Sequence, residues 1–334
     1  MERRSRMLVI WALSETAMRT FLRSAVFVFL WALSISIFSC GSNNAPSPSN
    51  YVLLSPYTPQ NNIYKGQTHS HTTNSDGCLT PAQVSSRYQS RSYDFLAITD
   101  HDHATNVSSS NSFLFIRSVE ESSLDGHIVT LGIPGHNKSP FSQIIINSAV
   151  ADGGLAILAH PNYSVGFSLD TMFALKNYAA IEIFNNEVER LTGHGNAESK
   201  WDSLLSSGRQ VFGVASDDFH CEDSTGAWIM VYADHLTQGD ILYSIATGNF
   251  YATTGPAMTI KILGTLISAA TDEPASIEFI TGNGESAGMF VHVTSAAFAT
   301  AGSEQYVRIR ITRDIDGKKA WSNPIFIHTT GMTP

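Results

Sequence analysis

The chain has 334 residues, 43% of them hydrophobic, and a formal net charge of −9. That length accommodates one large domain and a small one, and the apolar content excludes disorder for most of it. The negative charge argues against a broad electrostatic grip on polynucleotide backbones, so no stable nucleic-acid complex is expected; an acidic shell around bound cations suits small anionic or ester substrates better.

Residues 1–40 read as a targeting segment rather than as fold. Arg3, Arg4, Arg6, Arg19 and Arg23 precede an apolar run over 25–37 that is too short and wrongly flanked for a transmembrane helix. The run ends Ile37-Phe38-Ser39-Cys40-Gly41-Ser42, which resembles a bacterial lipoprotein signal with Cys40 as the lipidated residue, Met18 being a second candidate start. An uncleaved membrane anchor is the alternative. Either reading places the body outside the cytoplasm, at the cell envelope on the outer-membrane or periplasmic face. Residues 41–62, rich in Ser, Asn and Pro, read as a flexible tether.

From residue 63 onward, strand-like and helical stretches alternate. Helices are expected over 81–91, where Thr80 can cap and Pro81 suits the first turn, and over 140–152, 169–178 and 239–247, with 187–207 a longer helical or insert region. Residues 248–256 read as a turn-rich exit. The apolar runs between them read as strands of a parallel α/β barrel, which carries its chemistry where strands end at the carboxyl face. Beyond about 259 the pattern becomes all-β, with runs at 275–281, 289–294, 306–312, 318–321 and 325–328 and a hairpin turn at Asp314-Ile315-Asp316-Gly317.

The strand-like runs end on residues that bind metals. Gln67-Thr68 leads into His69-Ser70-His71, and the run 95–99 into Asp100-His101-Asp102. The run 155–159 leads into His160-Pro161, 181–184 into Asn185, and 211–215 into Ser216-Asp217-Asp218-Phe219-His220. Imidazoles and carboxylates at one rim suit Zn, Mn or Fe. His69 and His71 are two apart and share a strand face, as do Asp218 and His220. Gly77 lets the loop bearing Asp76 turn back toward the same ion.

In order, His69-x-His71, Ser75-Asp76-Gly77, Thr99-Asp100-His101-Asp102 and Asp218-x-His220 resemble the signature of the PHP superfamily, named for polymerase and histidinol-phosphatase members, over roughly 63–258. The resemblance implies a distorted (β/α)7 PHP barrel over 63–258, followed by a small C-terminal β-sandwich-like module over 259–334. It implies nine metal ligands: His69, His71, Asp76, His101, Glu120, His127, His160, Asp218 and His220. Glu120 is favoured over Glu121 because His127 then falls seven residues on. Asp218, His220 and Glu120 are the residues expected to carry catalysis. Asp100 and Asp102 are expected to orient His101, and Asp217 to accept supporting hydrogen bonds.

Other polar residues admit two readings. Glu182 and Asn185 either orient substrate or support the rim. His103 and His194 contact an anionic substrate or are solvated. His136 reads as a surface-loop residue, and His292 and His328 as structural or exposed. In a closed barrel the loops bearing Cys78 and Cys221 are neighbours, and an exported compartment permits a disulfide between them; two free thiols are the alternative.

Nine candidates exceed the needs of one zinc and suit two or three divalent ions. The expected chemistry is attack by a metal-bound hydroxide on a phosphorus or carbonyl centre. No phosphate-binding Gly-rich loop competes. The leading expectation is a metal-dependent phosphoesterase of the nucleoside bisphosphate phosphatase or 5′-3′ exonuclease type. A carbamate or ester hydrolase is the runner-up, because Ala320-Trp321-Ser322-Asn323-Pro324-Ile325 resembles the C-terminal module of a PHP subgroup that includes carbamate-hydrolysing enzymes. A non-catalytic envelope binding protein is the third reading. The C-terminal module either covers one barrel face or recognises a surface or a carbohydrate.

Overall fold

The structure, a computed structural model, describes residues 51–221 and 225–329. The leader with Cys40, and the tether as far as residue 50, lie outside the described residues. Among the described residues no helix is long and apolar enough to cross a membrane.

The fold is mixed α/β. The chain runs β1 (Tyr51–Leu54), β2 (Asn62–Gln67), α1 (Pro81–Ser90), β3 (Phe95–Ile98), β4 (Leu114–Ser122), β5 (His127–Leu131), α2 (Ser142–Ala151), β6 (Leu155–Leu158), α3 (Leu169–Ala174) and β7 (Ala180–Asn185). It continues through α4 (Asn186–Thr192), α5 (Glu198–Ser206), β8 (Phe212–Ser216), β9 (Trp228–Ala233), α6 (Gln238–Thr247) and β10 (Phe250–Thr253). The all-β remainder is β11 (Thr259–Leu263), β12 (Leu266–Ile280), β13 (Ser286–Ala299), β14 (Tyr306–Arg313), β15 (Lys319–Ser322) and β16 (Ile325–Thr329).

Strands β2, β3 and β4 pair in parallel, as do β6, β7 and β8. Between these blocks β5 runs antiparallel to both β4 and β6. The expectation of a parallel barrel is corrected here. The link from β4 to β5 is a tight turn, Ser123 to Gly126, and a turn that short can only return the chain antiparallel. On the far side, β9 pairs antiparallel with β2 and β10 with β9. Past the carboxyl ends of β2 and β8, Ser70 bridges Phe219 and the His71 N–H reaches the Phe219 carbonyl at 2.8 Å. The outermost parallel strands therefore meet at the rim that carries the histidines.

Local chemistry accounts for the helix ends. Thr80 caps α1 through a reciprocal box with Gln83, and Pro81 occupies the first turn, where its missing N–H costs nothing. The region read as helical or an insert over 187–207 holds two helices: α4 stops where Gly193 adopts a left-handed conformation (φ 72°), and α5 starts at Glu198. The stretch read as a turn-rich exit contains β10, a buried strand Phe-Tyr-Ala-Thr held between β9 and β15. Tyr51–Leu54, within the stretch read as tether, forms β1 against β16; its alternating half-buried and exposed residues suit an edge strand.

Apolar side chains of β3 to β8 and of α2, α3, α5 and α6 form one core, and Val84 and Tyr88 of α1 pack separately with Leu96, Ile98 and Phe219. Another core gathers Ile267, Ile277, Phe279, Ile309 and Ile311 under the C-terminal strands. Arg308 of β14, fully buried, joins the two parts: it pairs with Asp202 at 2.7 Å and Glu198 at 3.1 Å, both on α5. Trp321 stacks on Phe184 with ring centres 5.8 Å apart. The Asn323 amide accepts from Gly213 N and donates to the Gly248 and Phe250 carbonyls. Gly213 lies at the start of β8 and the histidine rim at its end, so Asn323 engages the face opposite the rim.

Candidate metal centre

Four acceptor atoms converge at the closure between β2 and β8. His69 Nε2 and His71 Nε2 are 3.1 Å apart. Glu120 Oε2 stands 3.1 and 3.0 Å from them, and Asp218 Oδ1 3.1 Å from each. His69 Nδ1 faces Glu182 Oε1 at 2.8 Å, an oxygen that can only accept, so Nδ1 carries a proton and, once the ring is neutral, the Nε2 lone pair points inward. Lone pairs packed this closely repel unless a cation lies among them. Glu120 Oε2 and Asp218 Oδ1 are buried and have no hydrogen-bond partner. A regular tetrahedron with edges of that length has its centre about 1.9 Å from each corner, close to the ~2.0–2.1 Å of zinc bonds to nitrogen and oxygen. The donor set fits a divalent ion.

Glu120 also faces a second group. Its Oε1 lies 2.9 Å from both His127 Nδ1 and His160 Nε2, while His101 Nδ1 approaches its Oε2 at 3.3 Å. The buried His160 Nδ1 has no partner. One carboxylate thus touches two clusters of imidazoles, the arrangement a ligand shared by two cations requires. A third group lies outward: Asp76 is 3.3 Å from His220 Nε2, 3.4 Å from His71 Nδ1 and 3.6 Å from His101 Nε2. All nine residues singled out from the sequence fall in these three groups, with His71, His101 and Glu120 shared between them.

Neighbouring side chains hold these positions. Glu182 accepts from His69 and Ser216 (2.6 Å) with one oxygen, and from the His160 N–H (2.7 Å) and Asn185 (2.8 Å) with the other. Asn185 donates to Asp218 Oδ2 at 3.1 Å while its own oxygen caps α4 at Val188. Both residues therefore support the rim. His160 and Asp218 have φ of 28° and 51°, a backbone region that L residues avoid, and these bonds secure them there. A Cβ on Gly77 would lie 2.6 Å from the His71 carbonyl carbon, so only glycine lets the Asp76 loop fold back this closely.

Two supporting roles differ from expectation. Asp100 does not orient His101. It accepts from the Thr72 N–H (2.6 Å), the Thr72 and Ser75 hydroxyls (2.7 and 2.9 Å) and Thr105, and so braces the loop leading to Asp76. Asp102 accepts from Ser122 N at 2.8 Å, and its own N–H donates to the Glu120 carbonyl, clamping the His101 turn onto β4. Asp217 accepts from Tyr88 and from the N–H groups of Gly226 and Ala227. Glu121 points away from the cluster, to the Asn137 N–H at 2.9 Å and His136 at 2.5 Å; the sequence signal for this pairing was the acid pair itself, whose members must face opposite sides of a strand. His103 and His194 are exposed, as is His292, which pairs with Asp314. Cys78 and Cys221 form a disulfide with Cα atoms 4.7 Å apart.

Electrostatics follow from this crowding. Burial lowers the basicity of His69, but Asp218, Glu120 and Glu182 outweigh it and raise its pKa well above the ordinary value. Burial likewise opposes protonation of His71, yet Asp218 and Glu120 bring its pKa up to about 9. Burial would raise Glu120, and His69, His127 and His160 instead hold it well below the carboxylate range. The cluster demands positive charge, from protons or from metal. One side is open: His101, His127 and His220 are partly exposed and Asp76 is about half exposed, whereas His69 and His71 are sealed.

No family model matches the chain, and no curated protein does. Among solved structures it is similar to a two-domain protein from Bacteroides vulgatus containing a predicted PHP-like metal-dependent phosphoesterase, at 13% identity and a TM-score of 0.47, covering 81% of this chain and 96% of that one. Endonuclease Q bound to a duplex with an abasic lesion is similar at 12% identity and a TM-score of 0.43, over 55% of this chain and 56% of that one. A putative metal-dependent phosphoesterase from Bifidobacterium adolescentis follows at 14% identity and a TM-score of 0.34, over 46% of this chain and 87% of that one. These neighbours are hydrolytic enzymes by name. What this chain can do follows from its own site.

Proposed function

We propose that the chain is a metal-dependent hydrolase, and within that class a phosphoesterase holding two or three divalent ions of the Zn, Mn or Fe type. The observation that carries the reading is the convergence of lone pairs from His69, His71, Glu120 and Asp218, with two buried carboxylate oxygens lacking a hydrogen-bond partner. Bound divalent ions supply Lewis acidity, lowering the pKa of water and offsetting charge that develops on a phosphoryl oxygen.

The chain's own residues do the rest. Glu120 and Asp218 bring the negative charge that recruits cations, and Glu120 is shared between the deep group and the His127–His160 pair. Glu182 fixes the His69 tautomer. His220, His101 and Asp76 form the rim a substrate crosses. The acidic chain favours short substrates such as nucleoside bisphosphates or the 5′ end of a strand over a long duplex.

The parallel blocks meeting at Ser70 and Phe219, and the change to all-β structure after residue 259, support the finer reading of a distorted (β/α)7 barrel over 63–258 with a C-terminal β module. A surface disulfide supports export, since such bonds persist in oxidising compartments, and lipidation at Cys40 would then anchor the chain at the envelope.

The test is turnover by the purified chain loaded with Mn or Zn and offered a phosphodiester, a phosphomonoester and an aryl carbamate, with His71→Ala as control. Phosphoester cleavage that vanishes in the control is the expected result. Carbamate cleavage alone would move the protein to the runner-up reading, and silence on all three would favour a binding role.

A further inference from the structure

The deep and outer groups are built differently. His69, His71, Glu120 and Asp218 are buried and braced by Glu182 and Asn185 on β7. The outer group unites Asp76 and His220, which come from two loops at the surface. Asp76 is two residues before Cys78, and His220 immediately precedes Cys221. The disulfide between these cysteines closes a separation of 143 residues within a few residues of both side chains. Beside it, the Cys78 N–H donates to the His220 carbonyl at 3.1 Å. The Asp76 loop is held on its other flank by Asp100 through Thr72 and Ser75 and closes on itself through the Gly77 N–H to the Thr72 carbonyl at 2.9 Å, while the disulfide and the Cys78–His220 hydrogen bond tie it to the His220 loop.

We propose that the Cys78–Cys221 disulfide positions Asp76 and His220 as ligands, so that the outer group holds its ion only when the bond is closed, whereas the deep group does not depend on it. The proposal rests on the metal-centre reading above. Its physical basis is that a cross-link between loops distant in sequence removes the freedom those loops would otherwise lose on binding an ion, and the saving falls on ligands adjacent to the link. Glu120 is carried by β4, while His69, His71 and Asp218 stand just past the ends of β2 and β8 and are held by Glu182, the Phe219 carbonyl and Asn185, so opening the link leaves their arrangement intact. Reduction by a phosphine opens the bond with balanced chemistry: the disulfide gains two electrons and two protons to give two thiols, and phosphine and water give phosphine oxide.

The experiment counts ions per chain after equilibration with excess Zn and desalting, in the wild type, the Cys78→Ser/Cys221→Ser double variant and Asp76→Asn. The double variant should lose one ion, as Asp76→Asn does with the disulfide intact, and keep the remainder. A full wild-type count in the double variant would overturn the proposal even if the melting temperature falls, because the bond would then be a structural strap alone. Should the double variant not fold, the wild type is reduced in its folded state with the phosphine, freed of it and counted; a full count there overturns the proposal equally. A wild-type chain that takes up no ion at all overturns the metal-centre reading itself, and that outcome is distinguishable from the others.

Discussion

Glu182 binds His69 and the backbone of His160 with its two oxygens, at 2.8 and 2.7 Å, and so joins both sides of the metal centre through one buried carboxylate. Burial would raise its pKa, but His69 outweighs that and keeps it lowered, so the carboxylate stays charged. All its hydrogen-bond partners are donors, and an amide would turn an NH2 toward two of them. Glu182→Gln should therefore weaken metal binding by about 10–100-fold, the usual effect of losing a partner behind a metal-ligating imidazole. Competition against a chelator measures this; unchanged affinity would reduce Glu182 to a fold residue.

Glu120 and Glu121 provide a matched pair of opposite outcome. Glu120→Gln removes the carboxylate shared between imidazole clusters, and activity should fall by more than ~100-fold, beyond the loss of a merely supporting partner. Glu121→Gln touches only the His136 and Asn137 contacts, and metal content by elemental analysis should match the wild type. Reversal of the two results would place the shared ligand one residue on.

Metal uptake should release protons at neutral pH. His71, with its pKa at about 9 without metal, is protonated at pH 7, and an ion displaces that proton. Proton release should decline as pH rises through 9, where the ring is already neutral, and metal affinity should weaken as pH falls. Calorimetric titration in two buffers of different ionisation enthalpy gives the number; zero release at pH 7 would contradict the account.

The joint between α5 and β14 should be acid-sensitive. Burial alone would raise Glu198, but Arg308 and Arg310 bring it down to about 2. Because its folded pKa lies below the unfolded value, the stabilisation is complete above about pH 4.5 and is lost as pH falls toward 2, amounting to about 3 kcal/mol at most. Arg308→Ala leaves the buried Asp202 carboxylate with no cation and Glu198 with Arg310 alone, and should cost about 3–5 kcal/mol in denaturant unfolding at pH 7. A loss under about 1 kcal/mol would mean that water reaches the pair.

Much of the site was legible because its residues sit where apolar runs stop, and the runs fix which side chains share a face. His69, His71 and Asp218 needed only that rule and the order of the motifs. The antiparallel β5 was not legible, since an apolar run carries no direction; the tight turn before it was the available signal. The break at Gly193 was open to reading as a helix stop, yet the helical pattern on both sides masked it. The role of Asp100 was misjudged because sequence adjacency to His101 says nothing about a carboxylate whose donors, Thr72 and Ser75, come from another loop. Glu182 stayed ambiguous for the same reason: its partners are brought together only by the closure of the sheet.

The measurement that bears most directly on the central claim is the metal content of the purified chain after equilibration with Zn, Mn or Fe and removal of free ion, beside His69→Ala and Asp218→Asn. Two or three ions per wild-type chain, with the deep ion lost in both variants, is the result predicted. A wild-type chain that retains none, or variants that retain as many as the wild type, would contradict the assignment of His69, His71, Glu120 and Asp218 as a metal cage.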